Sequence, residues 1–191
     1  MCAKHVHFIR HAESEHNARI AIAKDERLVR HDASLRDARL TALGQQQAKA
    51  LQVEMAALRD IELVVVSPLT RTIQTAVAAF ADHPAPRLIE CLHREKQESY
   101  CDIGRAPGVL AGEFAGFGFD HLDDPWWFDG PLDGAPFPRE TLEAFERRVA
   151  RFADWLSARP EHCIAVVGHG TFLRRLTGAV YANAQRVEVR F

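Results

Sequence analysis

Short apolar runs and amphipathic stretches take turns along this chain. Val6-His7-Phe8-Ile9 carries β-branched and aromatic side chains and runs into the polar string from Arg10 to Asn17, a pattern that predicts a strand followed by a turn. From Ala18 to Arg39 no clean period appears, although Ala18 to Lys24 can extend a helix that begins near Ser14. The period then becomes helical. Leu43, Leu51, Met55 and Leu58 fall roughly on one face and Thr41 is placed to cap the first turn, which predicts a helix from about Thr41 to Arg59. Ile61 to Val66 is nearly continuous in apolar character, as in a parallel strand covered on both faces, and it stops at Ser67-Pro68. Leu69 to Phe80 sets Ile73, Ala76, Val77 and Phe80 on one side of a second helix, and His83-Pro84-Ala85-Pro86 breaks the chain before a short strand, Arg87 to Ile89.

Between about residues 96 and 139 glycine and proline become dense (Gly108, Gly112, Gly116, Gly118, Pro125, Gly130, Pro131, Gly134, Pro136, Pro138), which predicts a long irregular insertion. Segments of that kind usually cover or bind something. The cluster Trp126-Trp127-Phe128 within it calls for burial, either in the core or as the wall of a pocket. Leu142, Phe145, Val149, Phe152 and Leu156 then mark a strongly amphipathic helix from about Glu140 to Ala158. Cys163 to Val167 reads as another buried strand, Thr171 to Gly178 as a helix, and Arg186 to Phe191 as an edge strand. The order β, α, β, α, β, insertion, α, β, α, β predicts one α/β domain over residues 1–191, a three-layer α/β/α sandwich with a mostly parallel central sheet.

Composition narrows the partners. Of 191 residues, 47% are hydrophobic and 26% charged, and 24 basic side chains against 26 acidic ones leave a net charge of −2. Such a chain can bury a core, and it lacks the global field that would hold nucleic acid or an acidic membrane. No apolar run reaches the roughly 20 residues of a membrane span, and the opening residues Met1 to His7 do not resemble a signal peptide, so a cytoplasmic protein is expected. Cys2, Cys91, Cys101 and Cys163 show no Cys-x-x-Cys spacing and are expected to be free thiols. Nothing in the pattern specifies a subunit interface.

In open α/β sheets ligands gather beyond the carboxyl ends of the strands. Three polar groups sit at such ends: Arg10-His11 with Glu13 after the first strand, Arg71 after the second, and His169 after Cys163–Val167. Two arginines converging on two histidines make a local positive pocket suited to a phosphoryl group, because guanidinium pairs hydrogen bonds onto phosphate oxygens and stays charged at any working pH. A neutral histidine in one tautomer can attack phosphorus there through its free ring nitrogen, while a carboxylic acid protonates the leaving oxygen. His11, Glu13 and His16 are candidate metal ligands by residue type, but their spacing does not repeat on one helical face, so no metal and no cofactor is expected. Glu13 is left between orienting Arg10 and capping the following helix, and Asp102 and Arg105 between substrate contact and loop brace.

Arg10-His11-Ala12-Glu13-Ser14 with Asn17, Leu40-Thr41 with Gly44 and Gln47-Ala48, Ser67-Pro68-Leu69-Thr70-Arg71-Thr72 with Gln74-Thr75-Ala76, and Gly168-His169-Gly170 together resemble the histidine phosphatase superfamily, also called phosphoglycerate-mutase-like. The resemblance runs from Phe8 to about Phe172. It implies a phosphohistidine mechanism with His11 as nucleophile, a phosphate pocket of Arg10, Arg71 and His169, and further contacts from Asn17 and the Gly170 amide. Ala12 stands where the family most often has glycine, a small change expected to leave activity intact. For the proton donor Glu90, Glu95 and Glu98 compete. Glu95 precedes Cys101-Asp102-Ile103-Gly104 by a short spacer, as in a subgroup of the family, and is the choice, with Glu90 second. The expected activity is metal-independent hydrolysis of a small phosphomonoester. A mutase, or a module that binds a phosphorylated ligand without turnover, are the alternatives. The short tail of about 20 residues after Gly170 favours hydrolysis over mutase chemistry, and the intact set of four pocket residues speaks against a binding module.

Overall fold

A computed structural model describes residues 4–191; the expectation of a free thiol at Cys2 lies outside them. Five strands, β1 (His5–Arg10), β2 (Leu63–Val66), β3 (Arg87–Ile89), β4 (Cys163–Gly168) and β5 (Arg186–Arg190), form one sheet in the order β3-β2-β4-β1-β5. All neighbours are parallel except β5, which runs antiparallel along β1 as an edge. Helices α1 (Glu15–Ile22), α2 (Glu26–Arg30), α3 (Ala42–Ala57), α4 (Thr70–Ala79), α5 (Pro107–Glu113), α6 (Leu142–Ala158) and α7 (Gly170–Thr177) complete the chain. The three-layer α/β/α sandwich expected from the pattern is the fold observed. No helix among the described residues is long and apolar enough to cross a membrane.

Alternation along the central strands feeds a separate core on each face. Val64 and Val66 of β2 with Ile9 of β1 meet Leu51 and Met55 of α3, Ile73 and Ala76 of α4, and Phe80 just after it. Val6 and Phe8 of β1 with Val65 and Ile164 point to the other face, onto Phe145, Val149, Phe152 and Leu156 of α6 and Phe172 of α7. The buried face of α3 differs from the expected one: it consists of Gly44, Ala48, Leu51 and Met55, while Leu43 lies exposed. Val77 and Leu142 are likewise exposed at the edges of their stripes, so the apolar faces are narrower than the sequence suggests.

The insertion is less irregular than its glycine and proline content predicts. It holds a 3-10 turn at Tyr100–Asp102 and the helix α5, opened by Pro107 at a position where the missing amide costs nothing. Phe117, Phe119 and Trp126 join the core beside α4, which resolves the aromatic cluster in favour of burial for Trp126. The Trp126 ring lies so close to Gly104 that a Cβ there would stand 2.1 Å from it. The indole N–H donates to the Arg105 carbonyl at 2.9 Å.

Candidate active site

Parallel strands bring the predicted residues to one rim. β1 ends at Arg10 and β4 at Gly168 in direct register, and β2 lies on the far side of β4, so His11, Ser67 and His169 leave the sheet side by side. The His11 Nδ1–H donates to the Ala12 carbonyl at 2.7 Å. A carbonyl can only accept, so the proton of the neutral ring sits on Nδ1 and Nε2 keeps its lone pair. That lone pair receives the Arg71 Nε–H at 3.3 Å. His169 packs against His11 with ring centroids 5.3 Å apart. Its Nε2 meets the Ser67 hydroxyl at 2.8 Å and its buried Nδ1 has no partner among the described residues.

Arg71 is fixed on its other edges. Nη1 donates to the Cys101 carbonyl at 2.6 Å and Nη2 to Asp102 Oδ1 at 2.9 Å. Its helix, α4, has no capping side chain of its own. Asp37 supplies the cap from a distant loop, with Oδ1 accepting the Thr70 amide at 2.8 Å and Oδ2 the Thr70 hydroxyl at 2.5 Å. Asp37 takes up the left-handed backbone region, at φ 48°, that Asp tolerates better than most residues. Arg10 donates from Nη1 to the Tyr181 carbonyl at 2.8 Å, and its buried Nε has no protein partner. A Cβ at position 170 would stand 3.1 Å from that Nε, so Gly170 lets the guanidinium lie close against the start of α7.

A cleft of about 200 Å³ opens over this arrangement, lined among others by Arg10, His11, Asn17, Arg71 and Glu95. His169 lies behind His11 and does not reach the cleft wall; Gly170 borders an adjoining depression shared with Arg10 and Glu95. The Glu95 carboxylate accepts the Thr171 and Phe172 amides, each at 3.0 Å, at the first turn of α7. Glu90 is turned to a different task, accepting the Leu92 amide at 2.8 Å, and Glu98 pairs with Lys96 at 2.5 Å. Asn17 completes the cap of α1: its Oδ1 accepts the Ser14 amide and an N–H of Asn183, whose side chain also donates to the His11 carbonyl.

Electrostatics follows from burial and two guanidiniums. Desolvation, then Arg71 and Arg10, hold His11 well below the usual imidazole range. Desolvation, Arg71 and His11 do the same to His169. Burial pushes the Glu95 carboxyl up, helped by the Asp102 charge and opposed by the Thr171 and Lys96 amides and Arg71. Both histidines are therefore neutral near pH 7, and the Glu95 carboxyl is shifted toward holding a proton.

The remaining sequence expectations sort cleanly. Glu13 neither orients Arg10 nor caps α1; Ser14 is the cap, and Glu13 accepts the Thr41 hydroxyl at 2.7 Å. Asp102 braces Arg71, and Arg105 braces Asp37 at 2.7 Å and Thr70 at 2.5 Å. Sequence reasoning missed Asp37, Asn183 and the cleft-lining Arg30. The only signal for Asp37 is a polar residue in a stretch without period, and Asn183 lies in a loop with no motif.

The family model for the histidine phosphatase superfamily (branch 1) matches residues 6–188. The chain belongs to this superfamily. A phosphoglycerate mutase-like protein of Arabidopsis thaliana is 33% identical to it over 205 residues, covering 91% of this chain and 73% of that protein. A Schizosaccharomyces pombe relative named as a probable phosphatase is 27% identical, covering 90% and 76%. The solved α-ribazole phosphatase of Shigella flexneri superposes with a TM-score of 0.63 at 22% identity, covering 96% of this chain and 89% of that one, a likeness of fold. Within the superfamily, this chain keeps a buried alanine at position 12, where its methyl joins Leu40 and Ala48 in a small apolar cluster and the backbone amide still donates to Thr75.

Proposed function

We propose that the protein is a phosphoric monoester hydrolase that works without a metal, through a phosphohistidine on His11. The observation that carries this reading is the His11 tautomer: Nδ1–H is tied to the Ala12 carbonyl, so the lone pair on Nε2 faces Arg71. The Nε2 lone pair attacks phosphorus as the ester P–O bond breaks, and Glu95 gives its proton to the leaving oxygen. Arg10 and Arg71 hold the charge on the phosphoryl oxygens, a task that a metal would otherwise perform, and His169, fully buried against His11, supports that ring from behind. Water then attacks phosphorus, ionised Glu95 takes its proton, and the P–N bond electrons return to Nε2. Asn17 and the Gly170 amide are assigned supporting contacts with the substrate.

The cleft volume and its polar lining, including Ser14, His16, Arg30 and Ser99, favour a small, polar alcohol as leaving group. The three described cysteines are free, in keeping with a reducing, cytoplasmic setting. The test is phosphate release from p-nitrophenyl phosphate and a panel of sugar and glycerate phosphates, with and without chelator, in wild type and His11→Ala. Release that resists chelator and disappears in the variant is the expected result. Isomerised phosphoglycerate without phosphate release would make the protein a mutase, and binding of orthophosphate with no turnover of any compound would make it a binding module.

A further inference from the structure

We propose that Arg148 and Glu140, far along the chain from every motif residue, are positioning residues that set the Glu95 carboxyl at the cleft. This rests on the assignment of Glu95 as proton donor. Arg148 lies on α6 and both side chains are almost fully buried. Glu140 accepts from Arg148 Nε at 2.8 Å and Nη2 at 2.5 Å, a bidentate pair. The remaining N–H groups all go to the segment that carries Glu95: Nη1 donates to the Leu92 and Arg94 carbonyls at 2.9 and 2.7 Å, and Nη2 to the Glu95 carbonyl at 3.2 Å. All five donors of the guanidinium are thereby used.

The same guanidinium also lies 5.5 Å from the ring centroid of Phe172, whose amide holds the Glu95 carboxylate. Arg148 thus touches the backbone that brings Glu95 in and the helix turn that receives its side chain. Glu140 adds a second tie, its amide donating to the Gln97 carbonyl at 3.0 Å. A buried ion pair contributes little net stability against an apolar pair of equal volume, since desolvation offsets the attraction. What this pair supplies is geometry: three carbonyls of one loop pinned to a rigid helix.

The experiment compares kcat/KM, which reports the phosphorylation step and not the later hydrolysis common to every ester, for an alkyl phosphate, whose leaving group needs a proton, and for p-nitrophenyl phosphate, whose leaving group does not. Arg148→Lys keeps the charge and loses the fork. It is expected to lower kcat/KM on the alkyl ester at least about tenfold more than on the aryl ester, part of the 10²–10⁴ that general acid catalysis contributes. In a Glu95→Gln background the same substitution should change the alkyl-to-aryl ratio no further. Glu140→Gln, which leaves Arg148 in place, should show the same selectivity to a smaller extent and serves alone if Arg148→Lys fails to fold. Equal slowing of both esters by whichever variant folds, or a full further loss of selectivity on top of Glu95→Gln, would overturn the proposal. If Glu95→Gln itself slows both esters equally, the proton-donor assignment fails and the positioning role with it.

Discussion

At His11, burial and two guanidiniums suppress protonation of the ring, and the Ala12 carbonyl decides which nitrogen stays bare. A residue so placed gains nucleophilicity from being neutral without any carboxylate partner to raise its basicity. His11→Asn is expected to retain the fold and to lose turnover by at least about three orders of magnitude, as removal of a covalent nucleophile does; steady-state assays with far-UV circular dichroism check both halves. Glu95 carries the opposite shift. In the proposed mechanism its protonated form is the acid, so kcat/KM for alkyl phosphates should fall as pH rises through the elevated carboxyl pKa, while that for p-nitrophenyl phosphate changes less. In Glu95→Gln that alkaline limb should vanish, and its persistence would assign the limb to another group. Arg10, His11, Arg71 and His169 were legible because each follows a strand within a motif. Glu95 was legible only against two rivals; it lines the cleft, as Glu90 does not. Asp37 and Arg148 were not legible, since each acts through a contact across the fold, 33 and 53 or more residues away in sequence.

Elements place these side chains by a few tight contacts. The turn between β1 and α1 rests on the start of α3: Thr41 caps that helix by accepting the Gly44 amide at 3.0 Å, and its amide and hydroxyl both reach Glu13. A Cβ at position 44 would stand 2.0 Å from the Glu13 carbonyl oxygen. Gly44→Ala therefore must push the turn that follows His11. Overpacking of this kind costs about 1–3 kcal/mol, and the substitution is expected to lower both the urea midpoint and kcat; an unchanged kcat would mean that α3 yields without moving His11. The strands were readable from short apolar runs, and α6 from its period of three and four. The insertion is irregular over most of its length, as its glycine and proline density predicts, but that density masks α5, whose start uses proline productively and whose neighbours Phe117 and Phe119 reach the core.

On the scale of the whole molecule, three histidines beyond the carboxyl ends of the strands, His11, His93 and His169, are buried as neutral rings. His93 is held at about 3 by burial first, donating to the Val167 carbonyl and packing on Phe152, and His11 and His169 are also well below the unfolded value. Below pH 6.5 the unfolded chain binds protons that the folded chain refuses, so stability falls with decreasing pH from about 6.5 downward, by on the order of a few kcal/mol in all. Urea unfolding at a series of pH values should record that slope, and His93→Gln should flatten it; a stability independent of pH between 4 and 6.5 would contradict the buried neutral rings. The order of elements made the sandwich readable in advance, whereas the pairing of β5 with β1 and the tie from α6 to the Glu95 loop depend on contacts that no local pattern carries.

The central claim is that the phosphoryl group passes through His11. Rapid-quench mixing with a radiolabelled phosphomonoester, followed by peptide mapping under alkaline conditions, tests it most directly. The account predicts a transient label, stable to base and labile to acid, on the peptide containing His11 and absent from His11→Ala. Turnover with no label at any time, or a label that survives in His11→Ala, would contradict it.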